Sequence, residues 1–102
     1  MYKLYFYVPQ NNLEEVKEAL FAAEAGKIGN YEKCSWQTRG TGQFLPGKDS
    51  NPAIGSQGKV EKLEEYKVEM VVNENIAKKI IETLIEVHPY EEPAYGLIEI
   101  LT

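Results

Sequence analysis

The spacing of apolar residues switches between period two and helical period along the chain, and the order of these switches restricts the possible folds strongly. Six segments follow in the order β-α-β-β-α-β: Tyr2–Val8, a helix between Asn12 and Gly26, Tyr31–Arg39, a strand starting at Lys59, a helix between Asn73 and His88, and Tyr95–Leu101. In a chain of 102 residues this order predicts a single domain, residues 1–102. It also predicts a ferredoxin-like α+β sandwich with an antiparallel sheet.

Charge and cysteine content exclude several classes of protein. Sixteen acidic and eleven basic residues give a net charge of −5, which argues against nucleic-acid binding because no basic face is available for phosphates. One cysteine and one histidine cannot complete a tetrahedral Cys/His zinc site. No apolar run approaches the length of a membrane span, and the start of the chain lacks a signal-peptide pattern. We therefore expect a cytoplasmic protein that does not bind membranes.

Glycine and proline are concentrated between the second and third predicted strands. This composition predicts one long loop over residues 40–59, and loops of that length are typically functional or mobile. The apolar Phe44 and Ile54 indicate that the loop packs against its own sheet, a neighbouring subunit or a larger partner. A phosphate-binding loop is disfavoured because no Gly-Lys-Ser/Thr sequence follows. The candidate ligand- or partner-binding residues here are Gly40, Gly42, Phe44, Pro46 and Gly55.

The sequence His-Pro-Tyr-Glu-Glu-Pro, residues 88–93, is the second candidate site. Two prolines hold an imidazole and two carboxylates close together, and His88 with Glu91 are suitable ligands for a divalent metal ion. The alternative is structural: His88 hydrogen-bonds the last carbonyls of the preceding helix, and the glutamates are solvated. Because a catalytic metal site usually has three protein ligands, the structural interpretation is favoured. The candidate binding residues of this turn are His88, Tyr90, Glu91 and Glu92.

Besides His88, the evident candidates for a nucleophile are Cys34 and Ser35. The alternating pattern places Cys34 on the same side as Trp36 and Thr38, which is typical of a packed strand. A buried free cysteine normally behaves as a small hydrophobic residue. We therefore expect no catalytic residues in this chain.

Six motifs occur in order along nearly the whole chain. They are GKIGNY at 26–31, CSW at 34–36, GTGQFLP at 40–46, NPAIG at 51–55, EYKVE at 65–69 and HPYEEPAY at 88–95. Together they resemble the inserted domain of the Nif-three-like (YqfO-type) family. At the level of the fold, the resemblance extends to the PII signal proteins and CutA. It implies a ferredoxin-like core, a long loop between strands two and three, and assembly into trimers.

Two departures limit what this resemblance implies. In longer Nif-three-like proteins the module sits between two halves of a larger domain that carries a dinuclear metal site. We expect this chain to lack that domain, and the hydrolase-like activity often assigned to the family then does not transfer. Gly96 stands where relatives usually have an acidic residue, and any role of that carboxylate is absent.

The expected function is a non-catalytic binding or regulatory domain of the Nif-three-like/PII-like kind, acting through its Gly/Pro loop and its subunit clefts. The alternative is a divalent-metal-binding or metal-dependent protein that uses the His-Pro-Tyr-Glu-Glu turn. A third hypothesis is a structural partner of a larger Nif-three-like protein. The expected partner is accordingly a small molecule or a larger protein.

The aromatic content predicts self-association. Seven tyrosines, three phenylalanines and one tryptophan are many large rings for a core made by two helices on one sheet. Both helices cover the same face of such a sheet, so the opposite face needs another partner. We expect a homo-oligomer, and the resemblance to PII and CutA favours a trimer.

Overall fold

Four strands and two α-helices make up the computed structural model, which describes every residue from Met1 to Thr102. In chain order they are β1 (Tyr2–Pro9), α1 (Leu13–Ala22), β2 (Trp36–Phe44), β3 (Glu61–Val72), α2 (Ala77–Val87) and β4 (Tyr95–Glu99). The strands form one antiparallel sheet in the order β2-β3-β1-β4. The predicted ferredoxin-like α+β fold is confirmed.

The core lies between one face of the sheet and the two helices. Leu4, Phe6 and Val8 of β1 are completely buried, because alternate side chains of a strand point to the same face. Both helices cover that face with buried residues three or four positions apart, namely Leu13, Val16 and Leu20 of α1 and Ala77, Ile80 and Leu84 of α2. Burial of each large aliphatic side chain contributes about 1.5–3 kcal/mol, so this single apolar layer holds the fold together. Neither helix has the length and apolarity needed to cross a membrane.

The opposite face of the sheet carries no helix, and we call it the open face. It presents the residues of β1 and β3 that alternate with the core residues, such as Tyr5 beside Glu69 and Tyr7 beside Lys67. Thr38 of β2 lies beside Lys67 on the same face. The open face is therefore a mixture of rings and charges.

The predicted ends of the helices are partly correct. Asn73 accepts a hydrogen bond from the Asn75 backbone N–H at 2.9 Å, as expected of a capping residue, although one turn of 3₁₀ helix precedes α2. Asn12, which precedes α1, makes no such bond. The helix α1 also ends before Gly26, whose N–H instead donates to the Val71 carbonyl of β3 at 2.9 Å. Gly26 therefore anchors the connection after α1 to the sheet.

The second strand is displaced from its predicted position. Residues 31–35 lie outside it, and β2 continues through Gly40 and Gly42 to Phe44. The predicted loop 40–59 is therefore too long at its start, and the connection between β2 and β3 is residues 45–60. Backbone pairing of Gly40 with Glu65 and of Gly42 with Leu63 overrides the weak strand propensity of glycine. The last strand is shorter than predicted and ends at Glu99.

A candidate binding cleft

A cleft of about 710 Å³ lies on the open face. Its floor is the sheet, one wall is the connection 45–60, and the other wall is the turn of residues 88–94 that follows α2. We call these two walls the loop and the turn. Residues that contribute to the floor include Tyr7, Thr38, Gly40, Gly42, Glu65 and Lys67. Three segments that are far apart in the sequence thus enclose one space.

Two glycines of β2 shape the floor. A Cβ atom at Gly40 would meet no atom within 4 Å, so the missing side chain leaves open space in the cleft. A Cβ atom at Gly42 would instead occupy the place of the Glu65 carboxylate, which lies across the strand at this point. The absence of a side chain at position 42 therefore allows Glu65 to reach the turn.

The floor also carries a row of alternating charges on β3. Glu65, Lys67 and Glu69 lie on the open face, because they are two residues apart in an extended strand. The ammonium group of Lys3 lies 2.6 Å from the Glu69 carboxylate, and this hydrogen bond lowers the pKa of Glu69. The Nζ of Lys67 lies 5.6 Å from the ring centre of Tyr5. Both charge signs and aromatic surface are thus available to a ligand.

His88 positions the turn from beneath the cleft. Its side chain is buried, and its Nδ1 accepts the Tyr90 backbone N–H at 3.1 Å. Since Nδ1 is the acceptor, Nε2 carries the proton and donates to the Tyr7 carbonyl of β1 at 2.7 Å. Burial lowers the pKa of the imidazole and favours this neutral form. The predicted acceptor of the His88 side chain is therefore wrong. The imidazole donates to a carbonyl of β1 and not to the last carbonyls of α2.

Tyr90 connects the turn with the floor. Its hydroxyl donates to the Glu65 carboxylate at 2.5 Å, and burial together with this bond raises the pKa of the phenol. The ring centre lies 6.0 Å from that of Phe44 and 4.9 Å from that of His88. The phenol therefore stays protonated as a donor while its ring packs between β2 and the imidazole.

The loop is joined to the turn at one point. The backbone N–H of Asn51 lies 3.1 and 3.2 Å from the two carboxylate oxygens of Glu91. Pro46 is buried at the base of the loop, and Ile54 lines the cleft. The apolar residues of the loop thus pack partly against the chain's own surface.

Most of the predicted binding residues meet at this cleft. Gly40, Gly42, Phe44, Pro46, Tyr90, Glu91 and Glu92 line it. His88 supports the turn without lining the cleft, and Gly55 lies outside the lining beside Glu61. Sequence reasoning missed Tyr7, Thr38, Glu65 and Lys67. Period-two alternation opposite the core residues is a signal for Tyr7, Glu65 and Lys67, whereas β2 contains no buried residue and gives no such signal for Thr38.

The metal hypothesis has little support in the geometry. Both ring nitrogens of His88 are engaged in hydrogen bonds, and the Glu91 carboxylate accepts from the loop. No group of three or more His, Cys, Asp or Glu side chains is placed to hold a metal ion. Binding through His88 and Glu91 would therefore break existing contacts.

The predicted packing around Cys34 is only partly present. Cys34 is half-buried and lies outside β2, with its Sγ 3.8 Å from the Glu32 carbonyl oxygen. Trp36 is 69% exposed, and its indole N–H donates to the Thr38 hydroxyl at 3.1 Å. The indole ring is therefore on the surface and not in the core.

Known proteins resemble this chain over nearly its whole length. A GTP cyclohydrolase 1 type 2 homolog of Halalkalibacterium halodurans is 47% identical over 97 residues, covering 95% of this chain and 26% of that protein. The protein of the same name from Mycobacterium tuberculosis is 43% identical over 99 residues, covering 97% of this chain and 26% of that protein. A Bacillus cereus protein related to NIF3 has a TM-score of 0.81 at 36% identity, covering 95% of this chain and 24% of that one. This chain is homologous to one segment of the Nif-three-like proteins. It spans about a quarter of the length of these relatives.

The same Nif-three-like segment shares its fold with a second group. CutA1 from Pyrococcus horikoshii has a TM-score of 0.71 at 20% identity, covering 98% of this chain and 83% of that one. At this identity the likeness shows the fold alone, which is CutA/PII-like. No family model matches the sequence.

Proposed function

We propose that this Nif-three-like segment is a non-catalytic binding or regulatory domain whose cleft holds a small molecule. The observation that carries the proposal is the convergence of the sheet floor, the loop and the turn around one space of about 710 Å³. Volumes of several hundred Å³ are typical of small-molecule sites. Hydrogen bonds Tyr90–Glu65 and Asn51–Glu91 hold these parts together, so the cleft is formed before a ligand arrives.

A binding role is favoured over catalysis by the state of the histidine. Its two ring nitrogens serve the turn and β1, so neither is free to transfer a proton to a ligand. Cys34 does not line the cleft. The longer relatives carry the name GTP cyclohydrolase 1 type 2 homolog, but this chain spans only about a quarter of their length. Their name therefore does not support a catalytic role for this chain.

The domain acts as a homo-oligomer in this proposal. Trp36 is 69% exposed and Ile98 is 49% exposed, and both belong to the open face. Such apolar groups on a sheet face without helices favour contact with another subunit. The resemblance to PII and CutA favours three subunits, and the cleft then lies beside a subunit contact.

Binding in the cleft is testable by filling it. The probe is the fluorescent dye anilinonaphthalene sulfonate, which reports apolar clefts, titrated against the full chain. Gly40→Leu places a side chain in the open space of the floor, and we expect it to weaken dye binding about tenfold, the equivalent of about 1.4 kcal/mol. Gly47→Leu is the matched control, because a Cβ atom at position 47 also meets nothing within 4 Å and Gly47 does not line the cleft. Equal dye binding by the two variants would contradict the proposal.

A further inference from the structure

Residues 47–57 form a unit that is closed at its base, and we call this unit the outer loop. The Gly58 backbone N–H donates to the Pro46 carbonyl at 2.8 Å, so the two ends of the outer loop meet. Inside it, the Ser50 N–H donates to the Gly47 carbonyl at 3.1 Å, and the Gln57 side-chain amide donates to the Ser50 carbonyl at 2.7 Å. Compact surface loops whose ends meet and whose own side chains brace them frequently carry function.

The outer loop has one polar connection with the opposite wall. The Glu91 carboxylate accepts the Asn51 N–H, and no other hydrogen bond joins residues 47–57 to the turn or to the sheet. A carboxylate acceptor makes this bond stronger than a neutral one. The Glu91 carboxylate is therefore the single hydrogen-bonded link between the two walls.

Glu91 directly follows Tyr90, the residue that connects the turn with the floor of the cleft. Tyr90 donates to Glu65 on β3, while the next residue accepts from the outer loop. Ser50, Pro52 and Ile54 present the outer loop to the cleft. Two consecutive residues of the turn thus bind the floor and the outer loop: Tyr90 binds Glu65, and Glu91 binds Asn51.

We propose that the outer loop is a lid that swings as one unit about Pro46 and Gly58, and that the Glu91 carboxylate latches it over the cleft. The inference rests on the proposed binding function, since it describes how access to that cleft is controlled. Opening breaks the Asn51–Glu91 bond and leaves the internal bonds of the lid intact. The ligand then enters between the turn and the displaced outer loop.

The test is amide hydrogen exchange, followed by NMR on the full chain without ligand. We expect Glu91→Ala to accelerate exchange at Asn51 about tenfold, as the loss of one charge-assisted surface hydrogen bond implies. Exchange at Ser50 and Gly58 stays unchanged, because their bonds lie inside the lid or at its base. Glu92→Ala is the matched control, since this neighbouring carboxylate lines the cleft and no hydrogen bond joins it to the outer loop.

Three results would overturn the lid. The first is unchanged exchange at Asn51 in Glu91→Ala, and the second is an equal acceleration at Asn51 in Glu92→Ala. The third is faster exchange at Ser50 and Gly58 as well as at Asn51 in Glu91→Ala, because the loop then unravels and does not move as one unit. The dye titration measures occupancy and the exchange experiment measures the latch without a ligand. Failure of one is therefore distinguishable from failure of the other.

Discussion

The imidazole of His88 donates from Nε2 to the backbone carbonyl of Tyr7, joining the end of α2 to β1 across 81 positions of the sequence. The same ring accepts the Tyr90 N–H, so a buried side chain fixes the turn that forms one wall of the cleft. A neutral, fully hydrogen-bonded histidine of this kind contributes to stability and positions its neighbours.

Removal of this imidazole destabilises the fold. His88→Ala leaves the Tyr7 carbonyl and the Tyr90 N–H without partners, and we expect the free energy of unfolding to fall by about 2 kcal/mol. Urea unfolding measures the change. A loss below about 0.5 kcal/mol, the range of ordinary surface substitutions, would show that these two bonds contribute little.

The His88 bonds also predict a pH dependence. Burial lowers the pKa of His88 in the folded protein, whereas the Tyr7 carbonyl and the Glu65 carboxylate have smaller, opposite effects. The unfolded chain therefore binds the proton more readily, and the contribution of His88 is complete above the ordinary value of 6.5. As the pH falls below that value, we expect stability to decrease more steeply in the wild type than in His88→Ala. Parallel curves for the two proteins would contradict the assigned protonation state.

Tyr90 and Glu65 are expected to be energetically coupled. Tyr90→Phe removes the hydroxyl and keeps the ring packing, so the expected loss of stability is about 1 kcal/mol. Glu65→Ala in the Tyr90→Phe background has a smaller effect than in the wild type. Tyr31→Phe is the control, because the Tyr31 side chain is exposed and its hydroxyl makes no hydrogen bond. Additive effects at positions 65 and 90 would exclude the coupling.

The two floor glycines are expected to respond differently to the same change. Gly42→Ala displaces the Glu65 carboxylate and costs its bond with Tyr90, whereas Gly40→Ala enters open space. In urea unfolding we expect Gly42→Ala to be less stable than Gly40→Ala by about 1 kcal/mol. The difference disappears in a Tyr90→Phe background. If Gly42→Ala remains less stable than Gly40→Ala in the Tyr90→Phe background, the loss of stability comes from the backbone and not from the Tyr90–Glu65 bond.

Self-association is expected to depend on the open face. Light scattering should give a mass that is a multiple of 11.6 kDa, with three chains favoured. Trp36→Lys places a charge on the open face and is expected to dissociate the oligomer. Ile85→Lys is the control, because Ile85 is an exposed apolar residue of α2 and not of the sheet. A wild-type mass of one chain would contradict the proposed assembly.

The sequence by itself determined the layer that contains the core. The positions of β1 and α2 are close to their predicted ones, since Phe6 and Ile80 belong to apolar patterns whose period follows directly from burial on one face. The β-α-β-β-α-β order then leaves few topologies, and the observed sheet is one of them. Motifs around Gly40 and Tyr90 also lie in two of the segments that meet at the cleft.

Only the tertiary structure decided how far β2 extends and which residues the cleft unites. An edge strand with solvent on both sides needs no apolar pattern, so its length depends on backbone pairing with β3 and not on side-chain period. The partners of His88 and Tyr90 lie 81 and 25 positions away, and hydrogen bonds over such separations exist only once the sheet has assembled. The local sequence around His88 and Tyr90 does not specify partners so far along the chain. The acceptor of His88 and the role of Glu65 therefore could not be predicted.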